Sequence, residues 1–78
     1  MTIQLYVDFN SIQSEGRLTT LLQFAVEPYQ VLPGAVLIVG DEEGNRAKAH
    51  VVSIEPNGRV HLEIQEGTFE SAPIHRSA

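Results

Sequence analysis

The feature that most constrains this chain is the alternation of apolar and polar residues, which has a period of two along most of its length. In the segment 2–9, one face carries Ile3, Leu5, Val7 and Phe9, and polar residues dominate the other face. Because successive side chains of an extended backbone point to opposite sides, this pattern predicts a strand with one buried face. The chain has only 78 residues, which is enough for a single domain.

Four further segments have the alternation typical of strands, and turn-forming residues separate them. They are 17–27, 35–39, 46–54 and 59–65. Residues 56–58, Pro-Asn-Gly, join the last two, and Asn-Gly between two alternating segments is a strong hairpin signal. The segment 35–39 is apolar on both faces, so we expect a central strand that is covered on both sides.

The segment 17–27 is compatible with two structures. A helix would place four apolar residues on one stripe: Leu18, Leu21, Leu22 and Ala25. A strand would place five residues on one face: Leu18, Thr20, Leu22, Phe24 and Val26. The strand is favoured because the Thr19-Thr20 pair and Phe24 suit a pleated surface, and because Glu15-Gly16 lies where a hairpin turn would be.

Five short strands with closely spaced turns predict an all-β fold, and we expect a single five-stranded antiparallel barrel over residues 1–67. A closed barrel is expected because an open sheet of this size would leave two exposed edges and a half-covered core. The remaining segment, 68–78, has a weak pattern and contains Pro73. It is predicted to be a loosely ordered tail, with Phe69 folded back on the core.

Four motifs follow one another between residues 15 and 55. They are a Gly-containing apolar strand (16–22), a loop with a Gly-containing turn (31–36), an apolar strand that ends in Val-Gly (37–40) and a strand with Ala-x-Val-x-x-Ile (49–54). In this order they resemble the small β-barrel that forms the second domain of translational GTPases. The part from 34 to 62 is similar to SH3-like and Tudor-like barrels. The resemblance implies a barrel fold and brings no ligand-binding motif with it.

The charge and the composition exclude several classes of function. Ten acidic residues against five basic ones give a net charge of −5, which opposes binding to phosphate backbones. The absence of cysteine excludes disulfides and Cys-based zinc sites. The N-terminus lacks the features of a signal peptide, and the longest apolar run, 35–39, is too short to cross a bilayer. We therefore expect a cytoplasmic protein with no membrane partner.

Candidate metal ligands lie on the last two predicted strands. If Asn57-Gly58 sets the turn, His50, His61 and Glu63 share a face, and imidazole and carboxylate groups could then hold a divalent cation. We favour an ordinary solvated face with cross-strand pairs instead, and we expect neither a metal ion nor a cofactor. The third histidine, His75, lies in the predicted tail.

The acidic segment Asp41-Glu42-Glu43 has two interpretations. It could attract a cation or a basic partner, although it lacks the ligand spacing of a calcium loop. A solvated hairpin tip that discourages aggregation is favoured. Elsewhere in the sequence no serine lies in a recognisable nucleophile elbow, and no glycines form a phosphate-binding loop. We therefore expect a protein that is not an enzyme.

An excess of apolar residues on the faces opposite the main core sets is the strongest functional signal. The residues concerned are Leu21, Leu37, Val52 and Ile54. If nothing covers them, they form an exposed patch that would bind a protein partner or a second copy of this chain. The sequence therefore predicts a non-enzymatic interaction module.

The alternative function is weak binding of nucleic acid. Small barrels bind nucleic acids through a basic groove with exposed aromatic residues. Arg46, Lys48 and Arg59 are the residues that would form such a groove on the outer face of the last hairpin.

Overall fold

The computed structural model describes residues 2–71. Its strands are β1 (Leu5–Tyr6), β2 (Arg17–Leu21), β3 (Val36–Gly40), β4 (Arg46–Ile54) and β5 (Arg59–Ile64). Single turns of 3-10 helix lie at Phe9–Ser11, Ser14–Gly16, Leu22–Phe24 and Pro28–Gln30. In this part of the chain no helix is both long enough and apolar enough to span a membrane.

The five strands form one mixed sheet in the order β1-β3-β4-β5-β2. Neighbouring strands are antiparallel except β1 and β3, which run parallel with Leu5 opposite Val39 and Tyr6 opposite Gly40. The sheet curls into a half-barrel whose edges are β1 and β2. The prediction of a small all-β fold with five strands is thus confirmed, but the prediction of a closed antiparallel barrel is wrong.

The two edge strands approach each other without forming a ladder, which leaves the barrel open. The Thr20 hydroxyl donates a hydrogen bond to the Tyr6 carbonyl at 2.8 Å, and Leu5 forms an isolated bridge with Ala25. After Leu21 the chain enters the 3-10 turn Leu22–Phe24. The strand interpretation is therefore correct for 17–21 and wrong for 22–27, where the chain forms a 3-10 turn and only the isolated bridge of Ala25.

The core consists of apolar side chains from all five strands and the flanking loops. Its buried members are Leu5, Val7, Leu18, Val31, Leu37, Val39, Ala47, Ala49, Val51, Val60 and Leu62. No polar side chain is buried among the described residues. Full burial of each Leu or Val stabilises the fold by about 1.5–3 kcal/mol relative to exposure.

Leu37 belongs to this core, so the prediction that it lies on the outer face is wrong. It is 2% exposed, whereas its neighbour Val36 is 50% exposed. The segment 35–39 is apolar at every position, so the alternation cannot indicate which face of the strand is inside. The expectation that this strand is covered on both sides is also wrong, because Val36 faces solvent.

A β-bulge in β4 overturns the predicted orientation of Ile54. Val51 lies opposite Leu62, but after a register shift between Val51 and Ser53 it is Ile54 that lies opposite the buried Val60. One extra residue inverts the alternation of side chains along a strand. Ile54 therefore packs against the core, whereas Val52 stays 42% exposed as predicted.

Residues 68–71 return to the sheet after β5. Glu70 and Arg46 exchange backbone hydrogen bonds of 2.7 and 2.9 Å. The Phe69 ring packs edge-to-face against Phe9, with 5.2 Å between ring centroids. The rest of the predicted tail, 72–78, lies outside the described residues.

Candidate interaction surface

Many large apolar side chains of this small domain are exposed to solvent. Among residues 2–71 they are Tyr6, Ile12, Leu21, Phe24, Val26, Tyr29, Leu32, Val36, Val52 and Phe69. Single exposed apolar residues are normal in soluble proteins, but several that converge on one place indicate an interaction surface. The question is therefore where they meet.

Three of these side chains meet in an open groove of about 680 Å³ between the edges of the half-barrel. We call it the seam groove. It is lined by Tyr6 of β1, Leu21 of β2 and Phe24 of the following 3-10 turn, together with the polar residues described below. A neighbouring groove of about 630 Å³ shares Tyr6 and Phe24 and adds Ile3 and Val26. The apolar surface thus continues along the open side of the sheet.

The local fold explains why Leu21 and Phe24 line the seam groove. Leu18 points into the core, and Leu21 lies three residues further along the same strand. Because side chains alternate between the two faces of a strand, Leu21 points outward. The backbone then tightens, because the Ala25 N–H donates to the Leu22 carbonyl at 3.0 Å and closes a 3-10 turn. This turn changes the direction of the chain and brings Phe24 to the open edge, 46% exposed.

Acidic side chains line the seam groove together with the apolar ones. Asp8, Asp41, Glu42 and Glu43 line it, and Arg59 is the single basic residue among the lining residues that the structure describes. Asp8 also accepts a hydrogen bond from the Asn10 N–H at 2.9 Å, which caps a short 3-10 turn. The groove therefore combines apolar side chains with an excess of negative charge.

Asp41 holds the β3–β4 loop in shape. Its carboxylate accepts hydrogen bonds from the N–H groups of Glu43 and Asn45, both at 3.0 Å, and from the Asn45 side-chain amide at 2.8 Å. Desolvation alone would raise the pKa of Asp41, but these hydrogen bonds, led by that of the Asn45 side chain, outweigh it and lower the pKa below its ordinary value. The carboxylate is consequently ionised at neutral pH.

Replacing Asp41 with Ala is expected to lower the free energy of unfolding by about 1–2 kcal/mol at neutral pH, since hydrogen bonds to a charged group are lost from a partly exposed loop. A folded-state pKa below the unfolded value stabilises the fold above about pH 4, and this contribution is lost as the pH falls through the folded-state pKa. Urea denaturation followed by circular dichroism at neutral and acidic pH measures both effects. Glu42→Ala, at an exposed position of the same loop, is the matched control. A D41A effect that persists undiminished at acidic pH would contradict this role.

The four residues of the predicted apolar patch do not come together. Leu21 lines the seam groove, and Val52 lies on the central strand β4, with β5 between it and the edge strand β2. Leu37 and Ile54 contribute to the core instead. Of the apolar residues that line the groove, the sequence pattern thus predicted Leu21 as part of an exposed patch. It placed Tyr6 on the outer face of the first strand but outside the patch, and it placed Phe24 wrongly on a buried face.

The three candidate nucleic-acid-binding residues do not form one group, because Arg59 lies apart from Arg46 and Lys48, which are both on β4. Arg59 begins β5 and lines the acidic seam groove. The Lys48 carbonyl accepts a hydrogen bond from the Gln65 N–H. Gln65 is six residues after Arg59, a distance of about 20 Å along an extended strand, so Lys48 and Arg59 lie far apart. Arg46 lies opposite Gly40 at the start of β4. The described residues therefore do not bring these three cations into one patch.

The candidate metal ligands take part in separate pairs. His61 Nε2 lies 2.6 Å from Glu55 Oε2, while His50 lies opposite Glu63, whose carboxylate is 3.8 Å from Arg17. Between residues 2 and 71, no three His, Asp or Glu side chains are grouped closely enough to hold a metal ion. His75 lies outside the described residues.

None of the known protein-family models matches this chain, and no curated protein or solved structure is significantly similar to it.

Proposed function

We propose that this chain is a non-enzymatic module that binds another protein, and that the seam groove is its binding surface. The observation that carries the proposal is the convergence of Tyr6, Leu21 and Phe24, which are 39%, 38% and 46% exposed, from three different elements into one open groove. Burying a few hundred Å² of such surface contributes several kcal/mol at about 25 cal/mol per Å², before the costs of association.

The character of the groove supports a protein partner over other ligands. It is open along the sheet edge, whereas small-molecule sites enclose most of their ligand. Its acidic residues would repel a phosphate backbone. Among the lining residues that the structure describes there is no His, Ser or Cys, which supports binding over catalysis. A second copy of this chain is disfavoured as the partner because both surfaces would carry the same negative charge, in a protein of net charge −5.

Selection of a random-peptide library on the immobilised full chain tests this function. We expect enriched peptides to bind the natural chain and to lose binding to Phe24→Ser, because the groove loses its most exposed aromatic ring. Tyr29→Ser removes an exposed aromatic ring outside the groove and is the matched control, which should bind as the natural chain does.

Two outcomes would contradict the proposed function. One is that no peptide is enriched. The other is that enriched peptides bind Phe24→Ser and the natural chain equally well. Sedimentation equilibrium of the natural chain provides the remaining check, since a stable dimer that Phe24→Ser dissociates would identify a second copy as the occupant instead of a different protein.

A further inference from the structure

The backbone of β2 faces the seam groove with unused pairing capacity. The Leu22 N–H donates to the Gly58 carbonyl at 2.8 Å, and Leu21 lies opposite Arg59 in the same ladder. In an antiparallel pair, residues that exchange hydrogen bonds alternate with residues that do not. Since the backbone of Leu22 bonds to β5, the backbone groups of Thr20, two residues earlier, also bond to β5. Thr19 and Leu21 therefore direct their N–H and C=O groups to the opposite side of β2.

The neighbouring ladder supports the same assignment. The Glu55 N–H donates to the Arg59 carbonyl at 2.8 Å, so the peptide groups of Arg59 face β4 and not its partner Leu21. On the free side of β2, the Arg17 carbonyl already accepts a hydrogen bond from the Gln13 N–H at 2.7 Å. In the described part of the sheet β2 is an edge strand, which leaves Thr19 and Leu21 as the positions open to a new strand.

The same residues that offer backbone groups also line the seam groove. Thr19, Thr20 and Leu21 form one wall of it, and the acidic residues Asp8, Glu42 and Glu43 lie along it as well. An extended segment that enters the groove would therefore meet a strand edge, apolar side chains and negative charge together. Such a combination recognises main-chain groups by β-strand addition and side chains by their size and charge.

We propose that the partner's segment is an extended stretch of apolar residues with Lys or Arg among them, which adds to β2 as a sixth strand of the sheet. Its backbone pairs with Thr19 and Leu21, its apolar side chains contact Tyr6 and Phe24, and its cations face the acidic residues. This inference rests on the proposed protein-binding function and specifies the chemistry of the partner.

The charge of the partner is tested with the double variant Glu42→Lys/Glu43→Lys against a selected peptide that binds the natural chain. We expect binding to weaken about tenfold at low salt, as two exposed charge pairs are lost, and the difference to shrink at high salt. Glu15→Lys/Glu66→Lys has the same change in net charge at exposed positions outside the groove, and it should bind almost as the natural chain does. Equal weakening by both double variants would overturn the predicted charge preference.

Strand addition is tested by amide hydrogen exchange with and without the same peptide. At a peptide concentration about ten times Kd, the exchange of the Thr19 and Leu21 N–H groups should slow about tenfold. Two N-methylated peptides are compared, one methylated at the odd-numbered residues and one at the even-numbered residues. One of them should lose binding and the other should keep it, because only every second residue of a strand bonds to its neighbour. If binding requires Phe24 but neither effect is seen, the seam groove binds protein without adding a strand. If no peptide requires Phe24, the proposed function itself fails.

Discussion

Replacing Leu37 with Ala is expected to lower the free energy of unfolding by about 2–5 kcal/mol, while Val36→Ala changes it by less than about 1 kcal/mol. Leu37 is buried opposite Ala49 of β4, so its truncation leaves a cavity, whereas the adjacent Val36 is half exposed. A chain of this length has a total stability of about 4–12 kcal/mol at 0.05–0.15 kcal/mol per residue. The L37A variant is therefore expected to lose a large fraction of its stability, and if the total lies at the low end of this range, L37A is partly unfolded at ambient temperature.

Urea denaturation followed by far-UV circular dichroism measures this pair of variants. If L37A is too unstable to purify, Leu37→Met keeps most of the side-chain volume and should lose less than about 1.5 kcal/mol. A result in which V36A destabilises the protein as much as L37A does would mean that β3 turns its other face to the core.

Replacing Gly40 with Ala is expected to cost about 1–3 kcal/mol, although this glycine lies in a regular strand. A Cβ atom at this position would lie 2.5 Å from Ile3 Cδ1 and 2.8 Å from the Asn45 carbonyl oxygen. The end of the Ile3 side chain can rotate away, but the Asn45 carbonyl cannot, because it accepts the Asp41 N–H that closes the hairpin loop at 3.1 Å. The added methyl group would therefore push the β3–β4 hairpin apart.

Thermal unfolding of three variants separates these effects. Gly67→Ala is the control for backbone strain alone, because Gly67 has a φ of 80° and an added Cβ would have no atom within 4 Å. This variant should lower the free energy of unfolding by about 1–2 kcal/mol. The double variant Ile3→Ala/Gly40→Ala should remain at least as unstable as G40A, since removing the Ile3 contact leaves the clash with Asn45. If instead G40A has the melting temperature of the natural chain, the close approach of these backbones is incorrect.

The limits of the strands in the second half of the fold could be predicted from sequence, although the faces of Leu37 and Ile54 could not. The observed strand β4 has the predicted limits, and β3 and β5 differ from prediction by one residue at their ends. Asn57-Gly58 lies in the predicted turn, with Gly58 at a φ of 91°. These features depend on neighbours a few residues apart, so the alternation and the turn residues were sufficient to locate them.

The candidate site was harder to predict because it depends on contacts between distant parts of the chain. For the acidic loop Asp41–Glu43, attraction of a basic partner was only the alternative to a solvated hairpin tip, whereas the exposure of Leu21 was predicted. Phe24 was assigned to a buried face because the alternation continues to Glu27 in the sequence, whereas the chain turns after Leu21. The β-bulge that turns Ile54 inward could not be predicted, because the apolar sequence around it has no clear signal for a bulge.

The sequence by itself determined that this chain forms five extended segments with a shared apolar core, because the period of its side chains and its turn residues act locally. Only the tertiary structure decided that β1 pairs in parallel with β3, that the barrel stays open and that an apolar groove with an acidic lining lies at the opening. Strand order and register are set by the joint packing of segments that are far apart in the chain, which a pattern of neighbouring residues does not encode.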